Sequence, residues 1–199
     1  MIPTMTTFQE RAVLRDWVAL NYCGEGAVVE IGALAGASTR ALLHGIQATG
    51  FFWSLWVYDN FRLPGNQHDA EYRRILGADV GESFREIFDR SLGSASRLVN
   101  VLEGDAAAAT VLPNEIEILH LDCAVSEDFH RAIYAKFFPL FVRGATLVQQ
   151  DFNYKNAPYI AHFMKRMERF CKALFDVESS RYYEVVVVPT REEVEEAIK

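Results

Sequence analysis

The chain has 199 residues, of which 50% are hydrophobic and 24% are charged. A single domain usually has about 100–200 residues, so this length predicts one domain (1–199) with a core that needs no disulfide bonds. Twenty Lys and Arg against 27 Asp and Glu give a net charge of −7. This charge argues against a nonspecific binder of nucleic acid or of anionic membranes, because both functions need a basic surface.

The three cysteines, Cys23, Cys123 and Cys171, are too far apart for a metal knuckle or a redox motif. An odd number of cysteines is also a poor disulfide framework, so we expect reduced thiols and a cytoplasmic protein. No apolar run approaches the roughly 20 residues of a membrane span. The N-terminus lacks the basic and apolar regions of a signal peptide.

The segment 1–25 predicts an N-terminal helix. Thr7 and Glu10 have the spacing of a capping box, in which a hydroxyl and a carboxylate bind free amides at the start of a helix. Further helices are predicted over Gly36–Ala48, Ala70–Leu76 and Glu82–Leu92, after the N-cap Ser126 as far as Arg143-Gly144, and from Pro158, with a frayed helix between Thr190 and Lys199.

Seven apolar runs alternate with these helices and predict strands. They are Ala27–Ile31, Phe51–Tyr58, Leu98–Leu102, Ile116–Leu121, Ala145–Gln149, Ala173–Val177 and Tyr182–Val188. This alternation predicts a three-layer α/β sandwich, with a mostly parallel sheet covered by helices on both faces. Ligands of such sheets bind beyond the carboxyl ends of the strands, so the candidate functional residues directly follow each strand.

The first strand leads into a turn that contains two glycines, Gly32 and Gly36. Glycine is needed where the backbone adopts a positive φ or approaches a ligand closely. The free amides at the start of the next helix, near Ser38, are open to a polar ligand group. A purely structural turn has a similar sequence. The spacing differs from the G-x-G-x-x-G of dinucleotide binders, which disfavours a nicotinamide-dependent oxidoreductase.

Acidic residues follow the next four strands. Asp59, after the second strand, suits the two hydroxyls of a ribose, or alternatively caps the following turn. Asp105, after Gly104, suits an adenine amino group or the N-cap of a helix. Asp122 and Asp151 follow the fourth and fifth strands.

This ordered series resembles the class I S-adenosylmethionine-dependent methyltransferases over nearly the whole chain. The resemblance implies a seven-stranded Rossmann-like sheet that binds S-adenosylmethionine. It implies that the glycine turn passes under the methionine portion and that Glu30 orients this turn and the amino group. It also implies that Asp59 binds the ribose and that Asp105 reaches the adenine. The implied cofactor-binding residues are Glu30, Gly32, Ala33, Gly36, Ser38, Asp59, Asn60, Gly104, Asp105, Ala106 and Asp122.

The stretch Ile118–Asp122, followed by Phe138-Pro139-Leu140 and Arg143-Gly144, is similar to the macrocin-type sugar O-methyltransferases. In that branch, an Asp after the fourth strand and an Asp-Asp pair after the fifth hold Mg²⁺. The sequence departs from this pattern at Gln150, which replaces the first acid of the pair.

A second acid expected shortly after Asp122 is also absent. The resemblance therefore implies a reduced Mg²⁺ site formed by Asp122, Asp151 and the carbonyl oxygen of Gln150. The alternative is that Gln150 and Asp151 hydrogen-bond a substrate or a neighbouring loop.

The implied reaction is methyl transfer to an oxygen of a small, sugar-like or natural-product acceptor. Asp151 is the first candidate for the base and Asp122 the second. His68 is a further candidate, because it lies in the segment 60–103, which is long enough to cap the site or to form two ordinary crossover helices.

Two other functions stay open: a catalytically silent protein of this fold that binds the cofactor or a partner, and, less favoured, the oxidoreductase. We expect a small-molecule acceptor as partner, with no nucleic acid or membrane. The sequence leaves a homo-oligomer open.

Overall fold

The computed structural model describes residues 2–51, 54–63 and 69–199. The helices are α1 (Phe8–Asn21), α2 (Ala37–Thr49), α3 (Asp69–Leu76), α4 (Arg85–Leu92), α5 (Glu127–Phe137), α6 (Pro158–Arg166) and α7 (Arg191–Ala197). The strands are β1 (Ala27–Ile31), β2 (Leu55–Asp59), β3 (Val99–Glu103), β4 (Ile116–Leu121), β5 (Phe141–Gln149), β6 (Cys171–Val177) and β7 (Ser180–Val185).

All seven strands form one sheet in the order β3-β2-β1-β4-β5-β7-β6. Strands β1 to β5 pair in parallel, whereas β7 is antiparallel to both β5 and β6. The expected seven-stranded, mostly parallel sheet is confirmed, with a mixed edge at β6. The strand order reverses between β1 and β4, so the loops after these two strands diverge and leave a cleft.

The two faces of the sheet carry separate apolar cores. Helices α1, α2 and α4 cover one face, where Val18, Leu42 and Phe88 are fully buried. Helices α5, α6 and α7 cover the other face, where Tyr134 and Val194 are fully buried. The three-layer arrangement is therefore present. Among the described residues, no helix is long and apolar enough to cross a membrane.

The start of α1 has the predicted capping box. The Thr7 hydroxyl accepts a bond of 3.1 Å from the Glu10 amide, and the Glu10 carboxylate accepts one of 2.8 Å from the Thr7 amide. Helix α1 packs closely on α2 at Gly45, where an added Cβ would lie only 2.6 Å from the Arg15 carbonyl oxygen. This contact fixes the position of the N-terminal residues relative to the sheet.

One predicted boundary is wrong at the start of β5. The strand begins at Phe141 and contains Arg143 and Gly144, which the sequence analysis places at the end of the preceding helix. Helix α5 ends earlier, at Phe137, and a 3₁₀ turn over Phe138–Leu140 follows it. Pro139, which has no amide hydrogen to continue a helix, lies in that turn.

Other boundaries differ by a few residues. The second strand begins at Leu55 rather than Phe51, and residues 52 and 53 of that prediction lie outside the described residues. Helix α4 begins at Arg85 rather than Glu82, and β7 ends at Val185 rather than Val188. Helices α2 and α6 have the predicted positions.

The predicted helix of the tail is present as α7. Thr190 and Glu193 form a second capping box at its start, and Val194 is fully buried. The three cysteines are free thiols, as expected.

Candidate active site

A cavity of about 850 Å³ lies beyond the carboxyl ends of the parallel strands. This volume falls in the range of about 300–1,000 Å³ that is typical of small-molecule sites. The predicted site residues that line it are Gly32, Ala33, Ser38, Asp59, Asn60, Gly104, Asp105, Ala106, Asp122, Gln150 and Asp151. Glu30 and Gly36 do not line it, and His68 lies outside the described residues.

The turn after β1 is tight, as the glycines predict. Gly32 has a φ of 89°, and a Cβ there would lie 2.0 Å from the carbonyl oxygen of Asp122. Only glycine fits this close approach between the loops after β1 and β4. Gly36 has a φ of 86°, and its amide donates to the carbonyl of Ala33 at 2.8 Å. It lies below the turn, where a Cβ would be 3.1 Å from the ring of Phe88.

The carboxylate of Asp59 joins this turn to the loop after β2. Its Oδ2 accepts bonds from the amides of Ala33 at 2.8 Å and Leu34 at 3.0 Å, and its Oδ1 accepts one of 2.7 Å from Phe61. Burial raises the pKa of Asp59, although these amides partly oppose it. The turn-capping alternative is therefore present in the structure. Asp59 also lines the cavity, and its bond to a ribose stays a prediction.

Glu30 acts from below the turn. It is fully buried, accepts a bond of 2.5 Å from the Thr39 hydroxyl, and lies 3.3 Å from Nδ1 of His120. Burial lowers the pKa of His120, but Glu30 raises it by more, so the net shift is upwards. Glu30 thus connects β1 to the start of α2 and to β4, but it does not line the cavity.

Asp105 caps a short 3₁₀ turn over Ala106–Ala108, where its carboxylate accepts a bond of 2.8 Å from Ala107. The amide of Gly104 donates to the carbonyl of Asp59 at 2.9 Å, which brings the loops after β2 and β3 together. Gly104 has a φ of 141°, and a Cβ there would meet no described atom within 4 Å. This edge of the cavity is therefore open to a flat ligand group.

Two further carboxylates, Asp122 and Asp151, lie at the ends of β4 and β5 and line the same cavity. Burial raises the pKa of Asp122 to about 7; His120 opposes this shift, whereas Asp151 and Glu30 add to it. Asp151 has a left-handed backbone, with a φ of 59°. The site thus holds a carboxyl group that changes its charge near neutral pH.

The side chain of Gln150 is engaged in hydrogen bonds to other protein groups, and the predicted Mg²⁺ site stays a prediction. The side-chain amide of Gln150 donates to Glu10 at 2.9 Å and to the Ser179 hydroxyl at 2.6 Å, and its side-chain oxygen accepts a bond from the Ser180 hydroxyl. The backbone carbonyl of Gln150 accepts a bond of 2.8 Å from the side chain of Gln149. Among the described residues, no group of three or more His, Cys, Asp or Glu is placed to hold a metal ion. Mg²⁺ needs several oxygen ligands in near-octahedral geometry. Gln150 does hydrogen-bond a neighbouring loop, as the alternative for this residue expects.

Much of the remaining cavity wall was not predicted from the sequence. The N-terminal residues Pro3–Thr6 line the cavity, and no motif indicated this. Aromatic rings come from Tyr72 of α3, Phe129 of α5, Tyr154, and Tyr159 of α6. Burial raises the pKa of Tyr72 to about 12, with contributions from Asp122, Asp151 and Asp59, so its phenol stays protonated. Tyr72 belongs to the segment 60–103, and its role as part of a cap stays a prediction.

No protein-family model matches the sequence, and no curated protein matches it, but solved structures do. The O-methyltransferase NovP is 17% identical, with 93% of this chain and 83% of NovP covered and a TM-score of 0.70. CalS11, a TDP-rhamnose 3′-O-methyltransferase of calicheamicin biosynthesis, is 13% identical, with 88% and 79% covered and a TM-score of 0.61.

A methyltransferase from Podospora anserina, PaMTH1, solved with S-adenosylhomocysteine, is 14% identical, with 92% of this chain and 80% of PaMTH1 covered and a TM-score of 0.60. These likenesses show that the chain has the Rossmann-like methyltransferase fold, which confirms the fold that the resemblance implies.

Proposed function

We propose that the chain is an S-adenosylmethionine-dependent methyltransferase that acts on an oxygen of a small, sugar-like or natural-product acceptor. The observation that carries this proposal is the convergence of the Gly32 turn, Asp59 and Asp105 on one cavity at the point where the strand order reverses. The likeness to NovP, CalS11 and PaMTH1 supports it.

The cavity offers a separate group for each part of the cofactor. The turn at Gly32 and the hydroxyl of Ser38 suit the methionine portion, since both line the cavity at the start of α2. Asp59 suits the ribose, and Asp105 with the open edge at Gly104 suits the adenine. When bound, S-adenosylmethionine supplies an electrophilic methyl group on a sulfonium centre.

The protein then has to align the acceptor and take up its proton. We assign proton uptake to the pair Asp122 and Asp151. A base works best when its pKa is near the working pH, and the pKa of Asp122 is raised to about 7. A carboxylate of this pair would take the hydroxyl proton of the acceptor as the acceptor oxygen receives the methyl group that bound S-adenosylmethionine would supply. No step passes through a metal ion.

The test is to incubate the protein with S-adenosylmethionine and a panel of nucleotide-linked sugars and glycosylated natural products, and to detect methylated product by mass spectrometry. The proposal predicts an acceptor whose mass rises by one methyl group, at equal rates with Mg²⁺ and with EDTA. Product that forms only with Mg²⁺ would contradict the metal-free assignment.

The second candidate is a catalytically silent protein that binds the cofactor. Gln150 stands where the macrocin-type sugar O-methyltransferases have an acid that binds the metal, and its side chain here donates a hydrogen bond to Glu10. Binding of S-adenosylhomocysteine without product from any acceptor would favour it. Tight binding of NAD would favour the oxidoreductase, which the glycine spacing disfavours. A cytoplasmic location and a homo-oligomer also stay predictions.

A further inference from the structure

A buried cluster joins α1, the end of β5 and the turn between β6 and β7. The Oε1 atom of Glu10 accepts bonds from the side-chain amide of Gln150 at 2.9 Å, from the Ser179 amide at 3.1 Å and hydroxyl at 2.8 Å, and from the Ser180 hydroxyl at 3.2 Å. Glu10 itself is 4% exposed. We call Glu10, Gln150, Ser179 and Ser180 the latch.

The residues directly before α1 form a strap over the cavity, which we define as Pro3–Thr6. All four residues of this strap line the cavity. The guanidinium of Arg11 donates to the hydroxyls of Thr4 at 3.4 Å and Thr6 at 3.1 Å, and to the Thr6 carbonyl. The Thr7 amide, next to the strap, donates to Glu10 at 2.8 Å. Arg11 of α1 therefore holds the strap directly, and Glu10 holds Thr7, the residue that follows the strap.

The latch and the strap meet at the cavity, since Gln150 and Ser179 line it together with the strap. We propose that Glu10 and Gln150 are positioning residues that fix the strap as a wall of the active-site cavity. The effect on methyl transfer rests on the proposed function, whereas the effect on the strap does not.

The charge of Glu10 explains why position 150 holds a neutral amide and not a carboxylate, which could bind a metal ion. Burial raises the pKa of Glu10, but the bonds from Thr7, Gln150 and Ser179 lower it by more, so Glu10 stays ionised at neutral pH. An ionised carboxylate in place of Gln150 would face the ionised Glu10, and two buried like charges repel strongly, so the pair would have to take up a proton. Gln150 is a donor here because its neighbour Glu10 is an acceptor.

The experiment is hydrogen–deuterium exchange of peptides from residues 2–9, in the wild-type chain and in Gln150→Glu, which has nearly the same shape but cannot donate in its ionised form. The proposal predicts that exchange in this peptide speeds up by about tenfold or more, as expected from the loss of a hydrogen bond to a charged group. Peptides from β2 and β3, on the far side of the sheet, should exchange at the wild-type rate.

The double variant Glu10→Gln with Gln150→Glu is the matched control. It restores a donor and an acceptor in reversed order, so it should recover much of the protection that the single variant loses. Ser179→Ala is a milder variant, which removes one donor to Glu10 and should also speed up exchange in the same peptide. It replaces Gln150→Glu in this experiment if that variant fails to fold. Unchanged exchange of residues 2–9 in the folded variants would overturn the proposal.

Two further readouts separate this proposal from the proposed function. If the strap loses protection as predicted but S-adenosylhomocysteine does not bind the wild-type chain, the latch stands and the methyltransferase function fails. Titration with Mn²⁺, monitored by electron paramagnetic resonance, should show no saturable binding. Mn²⁺ binding that is lost in Asp122→Asn would overturn the metal-free assignment of proton uptake and leave the effect of the latch on the strap unaffected.

Discussion

The Oδ2 atom of Asp59 accepts a hydrogen bond of 2.8 Å from the amide of Ala33, and this bond connects the loops that follow two neighbouring parallel strands. The same carboxylate is needed for two tasks in our account. It holds the shape of the glycine turn, and it presents a charged edge to the ribose of the cofactor. The two tasks can be separated by measurement.

Asp59→Ala should weaken the binding of S-adenosylhomocysteine by about 1–3 kcal/mol, the scale of lost charge-assisted hydrogen bonds. It should also lower the free energy of unfolding, because three backbone amides lose their acceptor. Titration calorimetry and urea unfolding measure the two effects. A loss of stability with an unchanged dissociation constant would show that Asp59 only caps the turn.

Asp151→Asn should reduce turnover far more than affinity for S-adenosylhomocysteine, because it removes a proton acceptor and keeps the shape of the side chain. Asn also tolerates the left-handed backbone that Asp151 adopts, so the fold should be retained. The comparison of kcat with the cofactor dissociation constant tests this role. Equal losses in both quantities would mean that Asp151 is structural.

The rate of methyl transfer should rise with pH through about 7, because Asp122 accepts a proton only in its ionised form and burial raises its pKa to about 7. In Asp122→Asn, this inflection in the pH profile should disappear. A flat wild-type profile between pH 6 and 8, with chemistry rate-limiting, would contradict the assignment of Asp122 to proton uptake.

Glu10 should make the stability of the protein sensitive to acid. Its pKa is lower in the folded protein than its ordinary value of 4.5, because hydrogen bonds to the ionised form outweigh burial. The stabilisation is therefore fully present above about pH 4.5 and is lost as the pH falls through the lowered pKa. The difference in unfolding free energy between wild type and Glu10→Gln should shrink below pH 4. A difference that is constant with pH would contradict this.

Gly32→Ala should destabilise the protein strongly, because its Cβ would lie 2.0 Å from the carbonyl oxygen of Asp122 at a φ of 89°. Gly50→Ala is the control, since Gly50 has a φ of 73° but a Cβ there meets no described atom within 4 Å. The control should cost about 1 kcal/mol, the strain of a left-handed residue with a side chain. Similar losses at both sites would show that the close approach to Asp122 is relaxed easily.

The positions of the strands along the chain and the places of their terminal acids were predictable, because apolar runs and strand-end residues are local signals. The bounds of β1 and β4 agree with the prediction, since both strands are buried along their whole length and stand out as apolar runs. The start of β5 was not predictable in this way, because its first residues are partly exposed and the chain leaves α5 through a proline turn.

The partner of Gln150 was not predictable either. Gln150 and Glu10 are 140 residues apart, and neither belongs to a motif that indicates the other. The same is true of the strap, whose place on the cavity depends on the packing of α1 against α2. Contacts of this kind come from tertiary packing, which a single sequence does not encode in its local pattern.

The most direct test of the account is calorimetric titration of the purified chain with S-adenosylhomocysteine, with NAD as the comparison ligand. The account predicts saturable binding of one S-adenosylhomocysteine per chain with a dissociation constant well below about 1 mM, a binding free energy stronger than about −4 kcal/mol. NAD should show no saturable binding over the same range. Absence of S-adenosylhomocysteine binding at millimolar concentration, or tighter binding of NAD, would contradict the account.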